Sequence, residues 1–194
     1  MKVAGLILAG GKATRFGGVD KAFVRLADRP LVEHVLARLS SQLPCLAISA
    51  NGDPARFATY GCPVLPDDPA FYENGPLTGV LSGLRWAAMQ KMDFLLTTPV
   101  DTPFVPDNLL ARLLPGPSVA VQNDQIHALT ALWPVAFAAD LEMFLRRPGK
   151  HKVRDALALC QARPVIFPAS EEAFANINSV ADLEKFGGDR PLSV

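Results

Sequence analysis

The apolar run Val3 to Leu8 leads directly into the sequence Leu8-Ala9-Gly10-Gly11-Lys12-Ala13-Thr14-Arg15-Phe16-Gly17-Gly18-Val19-Asp20-Lys21. The apolar run is typical of a buried β-strand, and four glycines follow it within nine residues. Glycine lets the backbone take positive φ and approach a ligand without a Cβ clash, so that consecutive N–H groups can turn toward an anion. The same stretch carries Lys12, Arg15 and Lys21. It therefore predicts a phosphate-binding loop at the end of a strand.

The cations of this stretch would bind phosphate in different ways. The guanidinium of Arg15 can form a planar fork on two phosphate oxygens, whereas Lys21 is a point charge whose direction the neighbouring Asp20 could fix. A glycine-rich turn that only serves the topology of the sheet is the alternative interpretation. A purely structural turn needs only one or two glycines, and it does not account for the three cations of this stretch.

Two common nucleotide-binding motifs do not occur in the sequence. No glycine follows Gly11 at the spacing of a P-loop with Lys-Ser/Thr behind it, and Gly-x-Gly-x-x-Gly is not found. The sequence thus argues against a P-loop NTPase and against a Rossmann dehydrogenase.

The composition fits a single domain spanning residues 1–194. With 49% hydrophobic and 20% charged residues, the chain can bury a sizeable core. Nineteen basic and nineteen acidic residues cancel, so binding to nucleic acid or to membranes through bulk charge is not expected. Because no apolar stretch of about 18 residues and no signal-peptide pattern occurs, a cytoplasmic protein is predicted.

The three cysteines, Cys45, Cys62 and Cys160, are odd in number and share no Cys-x-x-Cys spacing. This argues against a disulfide framework and against a structural zinc site. We expect buried or half-buried free thiols.

Alternating apolar patterns predict an α/β fold. Pro30 precedes apolar residues spaced three and four apart up to Leu43, which indicates a helix, and residues 45–49 form a short strand. Strand, loop, helix and strand in this order build a parallel sheet with right-handed crossovers. His34 is expected on the polar, solvated side of that helix. Further strands are predicted at 63–66, 93–98, 118–122, 126–134 and 164–167, and further helices at 77–89, 105–114, 135–146 and after Ser179.

The strands 118–122 and 126–134 flank a short polar turn, which predicts an antiparallel pair. The expected fold is therefore a three-layer α/β sandwich. It has a mostly parallel Rossmann-like sheet, helices on both faces, and this antiparallel strand pair in the C-terminal half.

Polar residues follow three of the predicted strands, at the edge where open α/β sheets bind ligands. Ser49 and Asn51 are candidates for base or ribose contacts, although Asn51 would also suit a plain turn. Asp67 and Asp68 follow the next strand, and we expect Asp68 to be a solvated turn residue. Asp101 lies in the proline-stiffened turn 98–103, where a rigid carboxylate can bind Mg²⁺ together with phosphate oxygens and water. Turn capping is the alternative role for Asp101.

A second glycine-containing sequence, Gly75-Pro76-Leu77-Thr78-Gly79, begins a predicted helix. Proline in the first turn, with glycine before it, leaves a helix N-terminus open to an anion. Close packing of a glycine-rich helix on the sheet is the alternative.

The first stretch resembles the N-terminal motif of the molybdenum cofactor guanylyltransferase family, Leu-Ala-Gly-Gly-x-x-x-Arg-x-Gly-Gly-x-Asp-Lys, at every fixed position. The resemblance includes Gly-Pro-Leu-x-Gly at 75–79, Pro-x-Asp-x-Pro at 99–103 and Asn-x-Asn at 176–178, and it covers residues 3–186. That family joins GMP from GTP to the terminal phosphate of molybdenum-bound molybdopterin and releases pyrophosphate. The resemblance implies the same two substrates here. Other cofactor-biosynthesis proteins or recipient molybdoenzymes would be further partners.

By this resemblance, Arg15, Lys21 and Asp101 would be catalytic, with Mg²⁺ on Asp101. Asp67 would accept hydrogen bonds from the N1–H and 2-amino donors of guanine. Ser49 stands where the family often has asparagine. The complete set implied for the nucleotide is Leu8, Ala9, Gly10, Gly11, Lys21, Ser49, Asn51, Asp67, Gly75, Pro76, Leu77 and Asp101.

The resemblance divides the chain into a nucleotide-binding half, 1–102, a pterin-binding half, 103–186, and a tail, 187–194. His127 matches a family His-Pro pair whose proline is Ala128 here, and a half-buried strand histidine is the alternative. The basic run 147–154 is either a solvated loop and helix start or the mouth for a phosphorylated pterin. The residues implied for the pterin are His127, Lys150, Lys152, Arg154, Asn176 and Asn178.

Three other functions stay open at this point. A cytidylyltransferase for the same cofactor usually has Leu-Ala-Ala-Gly in the first motif, so Gly10 favours guanine. A sugar-phosphate nucleotidyltransferase would carry a related loop. A non-catalytic carrier of nucleotide or cofactor is the third, and the presence of Lys21 and Asp101 favours an enzyme over it.

Overall fold

The computed structural model describes residues 1–10, 20–170 and 172–187. Its strands are β1 Val3–Leu8, β2 Arg25–Leu26, β3 Arg29–Pro30, β4 Leu46–Ser49, β5 Val64–Leu65, β6 Phe94–Pro99, β7 Ser118–Gln122, β8 Gln125–Pro134 and β9 Arg163–Ile166. Its α-helices are α1 Leu31–Ser40, α2 Pro76–Met89, α3 Leu109–Leu113, α4 Ala138–Leu145, α5 Val153–Leu159 and α6 Val180–Gly187. Short 3₁₀ turns join several of them.

A seven-stranded sheet has the order β5-β4-β1-β6-β8-β7-β9, and β2 and β3 form a separate hairpin. Strand β1 pairs in parallel with both β4 and β6, and β9 pairs in parallel with β7. Strand β8 is antiparallel to its neighbours β6 and β7. The predicted mostly parallel sheet with an antiparallel pair in the C-terminal half is therefore confirmed.

The register of the central strands brings their carboxyl ends to one edge. Leu8 at the end of β1 pairs with Ser49 on one side and with Pro99 on the other. The ladder continues beyond the strand ends, since Ala9 N–H donates to the carbonyl of Ser49 at 2.9 Å and Val100 N–H donates to that of Leu8 at 3.0 Å. The loops after β1, β4 and β6 therefore start side by side.

Apolar side chains cover both faces of the sheet, which produces the three predicted layers. Every residue of β1 is buried, because it has neighbouring strands on both sides and helices above and below. One face packs against α1 and α3 through Leu31, Val35, Leu109 and Leu113, among others. The other face packs against α2, α4 and α5, with Trp133 of β8 donating through Nε1 to Thr97 Oγ1 at 3.0 Å.

The prediction for His34 is wrong. Its side chain is buried, with 5% exposure, and Nε2–H donates to the carbonyl of Leu26 at 2.8 Å. The β2–β3 hairpin packs against α1 and supplies this acceptor, so the position of His34 on the helix does not face water. Burial holds the pKa of His34 below its ordinary value.

Two helices differ in length from the sequence expectation. Helix α3 begins at Leu109 and not near residue 105, because residues 106–108 form a turn in which Leu109 N–H donates to the Pro106 carbonyl. The segment expected as one helix at 135–146 begins as the 3₁₀ turn Val135–Phe137 and continues as α4.

The expected state of the cysteines is confirmed: Cys45 and Cys62 are half-buried, Cys160 is buried, and all three are free thiols. Burial raises the pKa of Cys160 to about 12, so its reactive thiolate form is scarce at neutral pH. Within the described ranges, no helix has the length and apolar character required to cross a bilayer.

Candidate active site

The carboxyl ends of β1, β4 and β6 border a cleft of about 450 Å³. Most of the residues predicted to bind a nucleotide line it: Leu8, Ala9, Gly10, Lys21, Ser49, Asn51, Asp67, Gly75, Pro76 and Asp101. Leu77 is not in the lining, because its side chain is buried in the core beneath α2. Gly11 and Arg15 lie outside the described residues.

Lys21 is the cation at the centre of this cleft. Its Nζ donates to Asp101 Oδ2 at 2.6 Å and also to Asn178 Oδ1. The side chains of Lys21 and Asp101 are only 18% and 21% exposed, so the pair is screened less than an ion pair on the surface. A fixed, partly buried ammonium of this kind is suited to hold phosphate charge.

Backbone hydrogen bonds to two other segments of the chain position Asp101. Val100, the residue before it, is buried and bonded to the end of β1. The carbonyl of Asp101 accepts from Ile177 N–H at 2.8 Å, which attaches the Asn-x-Asn segment to the β6 turn. Asn176 Oδ1 in turn accepts from Thr102 Oγ1 at 3.5 Å. The Asn-x-Asn segment and the Asp101 turn are thus adjacent, a contact that was not predicted from the sequence.

The chemistry of Asp101 fits a hard divalent cation. Its carboxylate opens toward the cleft, and its second oxygen accepts only a long contact of 3.4 Å from Thr102 Oγ1 among the hydrogen bonds of the described residues. The described part of the chain contains no cluster of three or more His, Cys, Asp or Glu side chains suited to a metal. A cation here would therefore take one protein carboxylate and complete its coordination with phosphate oxygens and water, as Mg²⁺ often does.

Asn51 and Asp67 form a reciprocal pair at the opposite wall. Asn51 Nδ2 donates to Asp67 Oδ2 at 2.7 Å, and Asp67 N–H donates to Asn51 Oδ1 at 2.9 Å. This arrangement locks both side chains and leaves the other carboxylate oxygen of Asp67 without a partner among the described hydrogen bonds. An acceptor of fixed direction therefore lies at the cleft wall.

The neighbouring Asp68 begins a turn, as expected, and its side chain is 31% exposed, but it is also ion-paired, which was not expected. Its Oδ1 accepts from Ala70 N–H at 3.0 Å, and its Oδ2 pairs with Arg85 at 2.8 Å. The Arg85 guanidinium holds the pKa of Asp68 below its ordinary value. Asp68 thus fixes the turn onto α2, whereas Asp67 faces the cleft.

The Gly75–Gly79 motif combines its two proposed roles. Gly75 has φ of +59° and precedes Pro76 at the first turn of α2, a conformation that favours glycine. At Gly79 an added Cβ would lie 2.4 Å from Ser49 Oγ. The helix therefore approaches β4 more closely than it could if residue 79 had a Cβ atom. Helix α2 therefore packs tightly on the sheet while its N-terminus borders the cleft.

A second cavity, of about 960 Å³, adjoins the first and shares Tyr72, Gly75 and Pro76 with it. Lys150 lines this cavity, together with Arg147 and His151. Lys152 and Arg154 are exposed where α5 begins and are not among the lining residues. Part of the basic run 147–154 thus borders a hollow and part of it faces solvent.

His127 lies at a third hollow, of about 270 Å³, which Asn176 also lines. Its ring stacks on Phe174 with 4.6 Å between the ring centres, and burial holds its pKa below the ordinary value. The residues implied for the pterin are therefore divided. His127 and Asn176 share one hollow, Asn178 contacts Lys21, and Lys150 lies at the second cavity.

Two polar residues at or beside the cleft, Tyr72 and Arg56, were not predicted from the sequence. Tyr72 lines both larger cavities with 56% of its surface exposed. Arg56 pairs with Asp20 beside the first cleft, with 2.6 Å between Nη1 and Oδ2. Neither belongs to a motif, and only the proximity of Tyr72 to the Gly75-Pro76 sequence could have indicated it.

The amino-acid sequence is similar to those of known nucleotide-transferring proteins. Residues 5–164 match the model of the MobA-like NTP transferase domain. The chain is 49% identical over 179 residues to the molybdenum cofactor guanylyltransferase of Acidiphilium cryptum, covering 92% of this chain and 91% of that one. It is 50% identical over 189 residues to the enzyme of the same name from Cereibacter sphaeroides, covering 95% of each.

The fold is shared with a solved structure of much lower sequence identity. The molybdopterin-guanine dinucleotide biosynthesis protein A of Archaeoglobus fulgidus superposes with a TM-score of 0.69 at 22% identity. The superposition covers 96% of this chain and 97% of the other.

Proposed function

The chain belongs to the MobA-like NTP transferase family, and from this premise we propose that it transfers GMP from GTP to the terminal phosphate of molybdenum-bound molybdopterin, releasing pyrophosphate. The observation that carries the proposal is the joint presence, in one cleft, of Lys21, Asp101 and the Asn51–Asp67 pair. Relatives near 50% identity over almost the whole chain, named for this activity, support it.

We propose that the guanine lies against the Asn51–Asp67 wall. Guanine presents two donors on one edge, and the remaining oxygen of Asp67 is an acceptor whose direction Asn51 fixes. A site built around such hydrogen bonds rejects a base that lacks the donors, because its own polar groups then stay unpaired.

The triphosphate would extend toward Lys21, with Arg15 as a second cation from the glycine-rich stretch. The backbone at Leu8, Ala9 and Gly10 borders the same space, and the N-terminus of α2 at Gly75 and Pro76 favours negative charge there. Lys21 would neutralise charge on the departing pyrophosphate.

Members of the NTP transferase family generally use a divalent metal, and we propose Mg²⁺ held by Asp101. When bound, the ion supplies charge neutralisation for the phosphates. Asp101 orients toward the cleft because its backbone is fixed by Leu8 through Val100 and by Ile177. Lys21 would then exchange part of its contact with Asp101 for phosphate oxygens.

No nucleophilic side chain is needed for this reaction. A phosphate monoester is largely dianionic at pH 7, since its second pKa is about 6. An oxygen of the pterin phosphate forms a bond to the α-phosphorus of GTP, and the bond from that phosphorus to the bridging oxygen of pyrophosphate breaks. The protein holds the two reactants together and stabilises charge, which are the main contributions in phosphoryl transfer.

The pterin is proposed to use the C-terminal half. Asn178 contacts Lys21 and Asn176 contacts Thr102 beside Asp101, and these contacts support a place for both next to the reacting phosphates. Lys150 at the second cavity would attract the anionic substrate. His127, Lys152 and Arg154 would contact the pterin at a greater distance from the reacting phosphates. We also propose that the product is exchanged with other cofactor-biosynthesis proteins or recipient molybdoenzymes.

The test is pyrophosphate release with molybdenum-bound molybdopterin and either GTP or CTP. We expect a much larger kcat/KM for GTP, and Asp67→Ala should reduce the GTP rate far more than the CTP rate. Asp68→Ala is the matched control, because this adjacent carboxylate contacts Arg85 and not the cleft. Equal use of the two nucleotides, or preference for CTP, would identify the cytidylyltransferase branch of the family. Binding of GTP without pyrophosphate release would indicate a carrier.

A further inference from the structure

Arg56 joins two loops that border opposite parts of the cleft. Its Nη1 pairs with Asp20 Oδ2 at 2.6 Å, and its Nη2 donates to the carbonyl of Asn51. Arg56 belongs to the 3₁₀ turn Pro54–Tyr60, whose start is fixed by Asp53 Oδ1 accepting from Ala55 N–H at 2.9 Å. One guanidinium thus contacts the residue before Lys21 and the residue that orients Asp67.

The carboxylate of Asp20 uses its two oxygens for different purposes. Oδ1 accepts from Ala22 N–H at 3.0 Å and so caps the 3₁₀ turn Lys21–Phe23 that contains the cation. Oδ2 receives Arg56. Since the same carboxylate caps the turn of Lys21 and binds Arg56, a displacement of Arg56 is transmitted to the backbone that carries Lys21.

The position of the guanidinium is itself restrained. Its carbon lies 5.0 Å from the centre of the Phe57 ring, and Phe57 is completely buried. Phe57 also packs against Phe23, the last residue of the Lys21 turn, with 5.0 Å between ring centres. Arginine suits this place because its planar fork serves two acceptors at once while its face lies on an aromatic ring, which lysine cannot reproduce.

We propose that Arg56 is a positioning residue for nucleotide binding, which holds the Asn51–Asp67 wall and Lys21 at a fixed separation before the ligand arrives. The inference rests on the proposed function, because a nucleotide must bridge the two walls for the separation to matter. Fixing both walls in advance removes part of the ordering cost of binding. The benefit applies to a ligand that contacts both walls and not to one that contacts a single wall.

The experiment compares Arg56→Met with Arg38→Met in binding of GTP and of guanosine in the presence of Mg²⁺. Methionine keeps an unbranched side chain over Phe57 and removes both hydrogen bonds. Arg38 is the matched control, since it also pairs with an aspartate, Asp107, at 2.7 Å and is 32% exposed against 35% for Arg56. Arg56 contacts the cleft residue Asn51, whereas the partner of Arg38 is not a cleft residue. Thermal unfolding without ligand is measured for each variant.

We expect Arg56→Met to raise the Kd for GTP roughly tenfold and the Kd for guanosine by less than about threefold. Misplacing the Asn51–Asp67 wall relative to Lys21 mainly weakens the ligand that contacts both. Asp20→Asn should weaken GTP binding too, and the double variant should be little worse than either single one, since both act through one contact. Arg56→Lys should fall between wild type and Arg56→Met.

Three results would overturn the inference: a GTP Kd for Arg56→Met within twofold of wild type, equal weakening of GTP and guanosine, or an equal effect of Arg38→Met. Additive losses in the double variant would also contradict it. Wild-type protein that binds no GTP would instead remove the proposed function on which the inference rests.

Discussion

At the scale of single residues, the amino group of Lys21 is held by acceptors from two distant parts of the chain, Asp101 and Asn178. A lysine fixed in this way would lose little further side-chain freedom on binding phosphate. In the proposed function, Asp101 serves both this ammonium and a metal ion. The proposal therefore requires the charge of Asp101 although it assigns no proton transfer to it.

Replacing Asp101 by asparagine keeps the shape of the side chain and removes its charge. We expect Mg²⁺-dependent turnover to fall by on the order of 10², the scale of losing one stabiliser of transition-state charge. Asp107→Asn is the control, because Asp107 pairs with Arg38 away from the cleft. Steady-state pyrophosphate release at saturating Mg²⁺ is the measurement, and a rate near that of wild type would refute the metal assignment.

The sequence made Lys21, Asp67 and Asp101 predictable because each sits in a motif or at the end of a predicted strand. It did not indicate Arg56, whose role depends on how one 3₁₀ turn lies over another. It also could not separate Asp67 from Asp68 by physics alone. The structure separates them through Arg85, which takes the second carboxylate and leaves the first to the cleft.

At the scale of elements, α2 reaches the sheet through its glycines. An added Cβ at Gly83 would lie 2.5 Å from Leu6 Cδ2 and 2.9 Å from Leu95 Cδ2, and both leucines are fully buried. This contact sets the height of the helix above β1 and β6. The N-terminus of α2 borders the cleft, so the packing of the helix also sets the position of one border of the cleft.

Gly83→Val is therefore expected to destabilise the protein by about 2 kcal/mol, because extra carbon atoms overpack a core that has no room for them. Ala88→Val, on the exposed side of α2, should cost only about 0.5 kcal/mol from helix propensity. Urea unfolding of both variants measures the difference. Similar losses would mean that the helix simply shifts to admit the larger side chain.

The start of α6, a helix predicted to follow Ser179, is capped by Ser179 and Asp182. Asp182 N–H donates to Ser179 Oγ at 3.2 Å, and Asp182 Oδ2 accepts from the backbone N–H groups of Ser179 and Asn178 at 2.8 Å each. These bonds hold the pKa of Asp182 below its ordinary value, with the Asn178 N–H as the largest contribution. The cap therefore also fixes the backbone of the residue that contacts Lys21.

Ser179→Ala should lower the free energy of unfolding by about 1 kcal/mol, the usual effect of losing an N-terminal cap. Ser40→Ala provides the comparison, because Ser40 Oγ only donates to the Ala37 carbonyl on the exposed end of α1. Chemical denaturation of the two variants gives the result. If both variants match wild type, the cap contributes nothing to stability.

Among the elements, the periodic or apolar segments were predictable, including short strands such as β5, but the β2–β3 hairpin was not. The β2–β3 hairpin has two residues in each strand, and its turn residues Ala27 and Asp28 have φ of +44° and +64° without the glycine that usually marks such a turn. Because the hairpin was missed, the burial of His34 was missed as well.

At the scale of the whole molecule, the buried His34 couples stability to pH. Burial lowers its pKa in the folded state below the unfolded value of about 6.5, so the unfolded chain binds the proton more readily. The neutral His34 makes its full contribution to stability at pH values above the unfolded-state pKa. This contribution is lost as the pH falls from the unfolded-state pKa to the lower, folded-state pKa. His127 acts in the same direction for the same reason.

The free energy of unfolding should therefore be lower at pH 5.5 than at pH 7.5, and His34→Gln should lose less across this interval than wild type. The carboxylates with lowered pKa, Asp68, Glu142 and Asp182, lose their contributions only at more acidic pH. Urea titrations at the two pH values give, for each protein, the slope of the free energy of unfolding against pH. Parallel slopes for the two proteins would show that His34 does not titrate in this range.

The contact between Lys21 and Asn178 also has a consequence for biosynthesis, because it joins positions 157 residues apart. A polypeptide emerges from the ribosome with its N-terminus first, so β1, β4 and β5 are synthesised well before the last acceptor of Lys21. The residues of the Asn51–Asp67 wall are thus made before the asparagine that completes the restraint on the ammonium. Full restraint of Lys21 therefore has to wait until residue 178 has been translated.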